Sequence, residues 1–152
     1  MVALSQGLRG IIHKMTTLRL RFSNSAISDI GFKALIAALN ESLPSLKQLQ
    51  LYIGSFDIVT NDTLKGLGAS LQNLSPSLEE ISLYLNLNVS TEECGLEQFA
   101  LSLTGYYPSV QYLSLDFKFL RAIDYSEIDI LADTISTCFQ TSENLIFVWM
   151  MS

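Results

Sequence analysis

The chain has few residues with which to do chemistry, and their spacing argues against catalysis. Its single histidine, His13, is the natural candidate for a general base, which needs a nucleophile or an orienting carboxylate in reach. It stands, however, where Pro44, Pro76 and Pro108 stand in later, similar phrases of the chain, and it reads as a turn residue. Cys94 and Cys138 lie far apart and match no metal-ligand spacing, so they are expected to be reduced, buried thiols. The adjacent pairs Glu79-Glu80 and Glu92-Glu93 are accounted for by solvation and by the positive end of a helix dipole. Gly66-Leu67-Gly68 lacks the Lys-Ser/Thr of a phosphate loop and reads as close packing inside a helix. No nucleophile is assembled with a base. The sequence therefore predicts no catalytic residue, no cofactor, no metal and no small-molecule substrate. What remains is contact chemistry. Tyr52, Tyr84 and Tyr112 offer large rigid rings with polar tips, although tyrosine also simply favours strands. Arg19, Arg21 and Asp116 supply charge.

The elements that must position these residues come from a repeat. Pro-Ser-Leu at 44 and 76 and Pro-Ser-Val at 108 recur at one constant interval. Apolar residues fall into columns around them: Met15, Leu46, Leu78, Val110 and Leu145; then Leu18, Leu49, Ile81, Leu113 and Val148; then Leu20, Leu51, Leu83, Leu115 and Met150. The first three steps between rows are equal to within a single position, and the last is slightly longer. Downstream of each proline the apolar residues alternate, as in Leu49-Gln-Leu51-Tyr-Ile53 and Leu113-Ser-Leu115-Asp-Phe117, which predicts strands with one buried face. Upstream, Phe32, Leu35 and Leu39 recur as Leu64, Leu67 and Leu71, as Leu96, Phe99 and Leu103, and as Ile128, Leu131 and Ile135. Spacings of three and four predict helices with one apolar stripe. Met1, Leu4 and Leu8 repeat the phrase at the N-terminus. Ser90-Thr-Glu-Glu93 reads as a capping box, Asn61 or Asp62 as the cap of one helix and Ser126 as the cap of the last. One helix-strand unit cannot bury both of its apolar faces, whereas stacked units join them into a continuous core.

The phrases Leu46-Lys-Gln-Leu49-Gln-Leu51, Leu78-Glu-Glu-Ile81-Ser-Leu83 and Val110-Gln-Tyr-Leu113-Ser-Leu115 resemble those of leucine-rich repeat proteins, specifically the ribonuclease-inhibitor-like class with lengthened repeats. The likeness runs from Met1 to Met150. It implies an α/β leucine-rich repeat solenoid of about four helix-strand units, with a parallel sheet on the concave side and helices on the convex side. The units of this single domain would be about 1–27, 28–58, 59–90, 91–124 and 125–152. The family's turn asparagine has no regular counterpart, with Asn88 the candidate in one unit. The resemblance also implies which side chains face outward on the sheet: Arg19, Gln50, Ser82, Ser114 and Trp149; Arg21, Tyr52, Tyr84, Asp116 and Met151; and Thr17, Gln48, Glu80, Tyr112 and Phe147. Arg19, Arg21, Tyr52, Tyr84, Tyr112 and Asp116 are thus the expected partner contacts. The sequence starts in a helical phrase and stops in a strand, with no polar cap. At least one end is therefore expected to dock against another chain, at the last strand through Phe147, Trp149 and Met151, or to continue into further sequence, unless irregular end packing suffices.

Composition bounds the partners. With 49% hydrophobic and 16% charged residues the chain can bury a large core. A net charge of −6 and nine scattered Lys and Arg do not supply the clustered cations that phosphate backbones require. No run approaches the length of a membrane span, and the N-terminus lacks a secretory pattern. The sequons at Asn40, Asn61, Asn73 and Asn88 matter only in a secreted protein. The expectation is an intracellular protein, cytoplasmic by default, that acts as a non-catalytic interaction module or scaffold within a multi-subunit complex. Two alternatives stand beside it: a sensor or adaptor segment of a longer protein, and an enzyme whose site carries no recognisable signature.

Overall fold

Alternating leucines on four strands and stripes of leucine on the helices bury against one another, and this sets the architecture. A computed structural model describes residues 6–7, 14–23, 27–42, 45–54, 60–87, 96–105, 107–119, 125–140 and 143–151, with backbone alone at 41–42, 87, 119, 144–145 and 147–151. The chain is α/β, with helices alternating with parallel strands. In order the elements are β1 (Thr17–Phe22), α1 (Asp29–Ser42), β2 (Gln48–Ile53), α2 (Asn61–Leu74), β3 (Glu80–Leu87), α3 (Leu96–Ser102), β4 (Tyr112–Phe119), α4 (Tyr125–Cys138) and β5 (Asn144–Met151). The five strands lie side by side in chain order, each parallel to the next. Parallel neighbours require a crossover, and each connection carries its helix.

Leu49, Ile81 and Leu113 pair across the sheet, as do Leu51, Leu83 and Leu115, and all six are buried. The helix stripe residues Phe32, Leu35 and Leu39, Leu64, Leu67 and Leu71, Leu96, Phe99 and Leu103, and Ile128, Leu131 and Ile135 are buried in the same core cluster. Each large side chain removed from water contributes about 1.5–3 kcal/mol. The opposite sheet face, with Thr17, Arg19 and Arg21 exposed on β1 and Gln48, Gln50 and Tyr52 half-buried on β2, remains partly open.

A recurring backbone device starts the strands. The Thr16 carbonyl accepts from the N–H groups of both Lys47 and Gln48, the Lys47 carbonyl from Glu79 and Glu80, and the Glu79 carbonyl from Gln111 and Tyr112. The Gln111 carbonyl accepts from Glu143 N–H at 3.1 Å. The last step is therefore the same as the two before it. Leu113 pairs with Leu145, Leu115 with Phe147 and Phe117 with Trp149. This repeats the step from Ile81 to Leu113 and is shorter than the one the apolar columns predict, which would set Leu113 beside Val148. Phe147, Trp149 and Met151 consequently stand in register with the inward positions Leu115, Phe117 and Phe119, and the outward rows end in Asn144, Ile146 and Val148. Residues 145–151 are apolar at every position, so the alternation that sets parity on the other strands is missing. Backbone pairing sets it instead, and an odd slip exchanges the two faces.

The helix starts also differ from expectation. Thr60, not Asn61 or Asp62, is the N-cap of α2, with extended backbone at φ −88° and ψ 157°. Its carbonyl accepts from Thr63 and Leu64 N–H, and its hydroxyl bonds Asp29 and the Thr63 hydroxyl rather than a backbone N–H of the helix. In α4, Ser126 lies inside the helix, after Tyr125. Ser28 caps α1 by accepting the Gly31 N–H. The capping box at 90–93, Asn88, Pro44, His13, Cys94 and the first helical phrase (Met1, Leu4, Leu8) lie outside the described residues.

Two glycines follow from packing. A Cβ on Gly68 would overlap Ser102 Oγ and stand 2.8 Å from the Phe99 carbonyl oxygen, so α2 approaches α3 as closely as glycine permits. Gly105 takes a φ of +146°, a conformation that L side chains rarely adopt.

Candidate functional site

The open sheet face is organised in cross-strand rows because parallel register places equivalent residues side by side. Thr17, Gln48, Glu80 and Tyr112 form one row, Arg19, Gln50, Ser82 and Ser114 a second, and Arg21, Tyr52, Tyr84 and Asp116 a third. Within the first two rows the polar groups bond to one another. Thr17 Oγ1 donates to Gln48 Oε1 at 3.2 Å, Arg19 Nη2 donates to the same oxygen at 3.5 Å, and Gln50 Nε2 donates to Glu80 Oε1.

The third row is aromatic at its centre. The Arg21 guanidinium lies over the Tyr52 ring, 4.6 Å from its centroid, and Arg21 Nε donates to Ser23 Oγ at 3.1 Å. Tyr52 and Tyr84 stack with centroids 4.2 Å apart and planes within 6°. The spacing is close to the interstrand distance of about 4.8 Å, so the rings stand upright and parallel on neighbouring strands. Burial, the neighbouring Tyr52 hydroxyl and the Asp116 carboxylate together push the Tyr84 phenol up. Burial likewise pushes the Asp116 carboxyl up, and Asp116 Oδ1 is buried without a hydrogen-bond partner. These rows floor a groove of about 460 Å³ lined by Arg19, Arg21, Gln50, Tyr52, Tyr84 and Asp116, among others.

Of the contact residues read from the sequence, Arg19, Arg21, Tyr52, Tyr84 and Asp116 come together in this groove. Tyr112 stands apart, in the row that begins with Thr17, two outward positions before Asp116 on β4. Phe147, Trp149 and Met151 lie on β5, which among the described residues pairs on one side only, and they stand in register with Leu115, Phe117 and Phe119. The outward Ile146 is 44% exposed.

No family model, no curated protein and no solved structure matches the chain.

The geometry of the chain's own residues is thus the basis for a functional reading. The groove holds two guanidinium groups, one carboxylate and a pair of rings. Among the described residues no group of three or more His, Cys, Asp or Glu is placed to hold a metal, and no helix is long and apolar enough to cross a membrane. The glutamates read together in sequence have separate partners: Glu79 pairs with Lys47 at 2.7 Å, while Glu80 accepts from Gln50. Cys138 is a buried free thiol whose carbonyl accepts from Tyr107 N–H.

Two residues escaped the sequence reading. Asp29 accepts from Thr60 N–H, Thr60 Oγ1 and Thr63 Oγ1, and pairs with Lys33 at 2.8 Å. It stitches the start of α1 to the start of α2. Burial alone would raise its carboxyl, but Lys33 and the threonine and backbone donors hold it down at about 2. Asn86 makes a side-chain bond to neighbouring backbone: its Nδ2 donates to the Gly54 carbonyl at 3.0 Å. The signal was present, since Asn86 follows directly on the alternation Ile81-Ser-Leu83-Tyr-Leu85, at the end of the repeated phrase.

Proposed function

We propose that the chain is a leucine-rich repeat solenoid of the ribonuclease-inhibitor-like class whose open sheet face binds a protein partner without catalysis, as a structural or assembly subunit of a larger intracellular complex. The observation that carries this reading is the row Arg21, Tyr52, Tyr84 and Asp116. It gathers the residue types that dominate protein interfaces, tyrosine and arginine, on a groove that the near-constant repeat aligns. Sequential parallel strands, near-constant steps and substantial element contacts that fall only between neighbouring units support the solenoid. Asn86 bonding to the backbone of the preceding unit supports the family resemblance. Tyrosine side chains held in place by stacking lose little further freedom on binding, so their area is available for affinity.

The test is a random-peptide selection on the folded chain, with the Tyr52→Ala/Tyr84→Ala double variant as counter-target. Enriched peptides are expected to bind the double variant at least about tenfold more weakly, as interface hot spots do. Peptides that bind both proteins equally, or that lose affinity only when the exposed helix residue Ile30 is changed, would overturn the assignment of the sheet face.

A further inference from the structure

The stack on the third row ends one strand before the sheet does. Arg21, Tyr52, Tyr84 and Asp116 are consecutive register partners, with one flat group per strand as far as β3. Tyr52 has Arg21 on one side and Tyr84 on the other. One face of Tyr84 is against Tyr52 and its other face is toward β4, where the register places a carboxylate too short to continue the stack. Asp116 forms no ion pair among the described residues, and its Oδ1 is buried without a hydrogen-bond partner. A desolvated carboxylate oxygen of this kind is costly and calls for a charged donor.

We propose that the outer face of Tyr84 and the Asp116 carboxylate form a receptor site for an arginine side chain presented by a protein partner. This rests on the sheet face being the binding face. A planar group that continues the stack by one strand spacing, about 4.8 Å, comes to lie above Asp116. A guanidinium does so with its plane on the ring and its N–H edge free to donate. The protein already contains the arrangement at the other end of the row, where Arg21 lies over Tyr52. A neutral ring would extend the stack but bring no charged donor to the Asp116 carboxylate, and an anion would be repelled by it. A lysine ammonium satisfies the charge without the plane. The net charge of −6 favours a basic partner. Arg21 stands three strands away, about 14 Å, which exceeds the screening length of about 8 Å at physiological salt, so it does not oppose an incoming cation. Lys118, the next outward residue on β4, forms no ion pair with Asp116.

The experiment titrates the full chain with the pentapeptide acetyl-Gly-Ser-Arg-Ser-Gly-amide and follows the Tyr84 ring protons and the Asp116 carboxyl carbon by NMR. Saturable shifts of both groups are expected. The peptide with citrulline in place of arginine is expected to bind about tenfold more weakly or worse, since it loses the charge-assisted bond. Asp116→Asn should lose the same factor, whereas Lys118→Ala should keep the affinity. Equal binding of the arginine and citrulline peptides, or shifts confined to other residues, would overturn the proposal. If Asp116→Asn does not fold, the comparison of the two peptides on the wild-type chain decides. Selected peptides that bind the sheet face with no requirement for arginine would overturn this inference and leave the binding-face reading standing. The absence of any peptide on that face would overturn both.

Discussion

Asp29 and Asp116 are carboxylates with opposite titration behaviour, and the difference follows from what each touches. Asp29 has four donors around it and titrates at about 2, below the ordinary 3.8. A depressed folded pKa contributes stability that is fully present above the ordinary value and is lost as pH falls toward the folded one. The urea midpoint of the wild-type chain is therefore expected to drop between about pH 4 and pH 2 more steeply than that of Asp29→Asn. Parallel curves would show that Asp29 does not set this slope. Asp116 is raised above 3.8 by burial, so the folded state binds its proton more tightly than the unfolded state does. It subtracts stability at neutral pH, and stability returns as pH falls through its folded pKa. Asp116→Asn should then raise the urea midpoint at pH 7, with the gain fading once pH drops below the ordinary carboxylate range; a lowered midpoint at pH 7 would refute this. A carboxylate kept at a cost to stability is what a binding role would explain. Only the Lys33 pair of Asp29, four residues on, was within reach of the sequence, because the threonine donors to Asp29 lie 31 and 34 residues away and the burial of Asp116 depends on the strands beside it.

At the level of elements, the helix pair α1–α2 and its neighbour α3 are set by two glycines with different surroundings. Gly68→Ala would drive a methyl into Ser102 Oγ and the Phe99 carbonyl, and overpacking of this kind costs about 1–3 kcal/mol. Adding Ser102→Ala should recover only part of the loss, because the Phe99 carbonyl is backbone and stays. Gly66→Ala meets only Ile36 Cγ2 at 3.6 Å, an ordinary contact, and should gain about 0.5–1 kcal/mol from helix propensity. Chemical denaturation of the three variants checks both signs. The Gly66-Leu67-Gly68 phrase could be read as close packing from sequence, but which glycine does the packing could not, since that depends on the crossing point of two helices. Strand parity was legible wherever apolar and polar residues alternate, as on β2 and β4. It was misread on β5, where every residue from Leu145 to Met151 is apolar and the backbone ladder with β4, opened by the Glu143 N–H bond to Gln111, carries the register.

For the whole molecule, the decisive property is that among the described residues β2, β3 and β4 have a strand on each side, whereas β1 and β5 have one. Stability in such an array is close to a sum over neighbouring units, so the interior should be the best protected. Amide hydrogen exchange is expected to be slowest in Leu49–Leu51, Ile81–Leu85 and Leu113–Phe117 and faster in β1 and β5. Uniform protection across all five strands would indicate that the chain opens as one block. The arrangement was largely visible in the columns of leucine, because a core that recurs at a near-constant interval must be built from equivalent layers. The groove was visible only as rows of residue types. The actual stacking of Tyr52 on Tyr84 follows from the interstrand spacing and from rotamers that no periodicity reveals.

Two phenol rings held parallel at 4.2 Å absorb as a coupled pair rather than as separate chromophores. Their interaction should give the near-ultraviolet circular dichroism of this protein an exciton contribution that disappears in Tyr52→Leu or Tyr84→Leu. Anything that separates β2 from β3, or slides a flat group against the pair, would change that signal with no label attached. The row that forms the groove is at the same time a built-in optical gauge of its own occupancy.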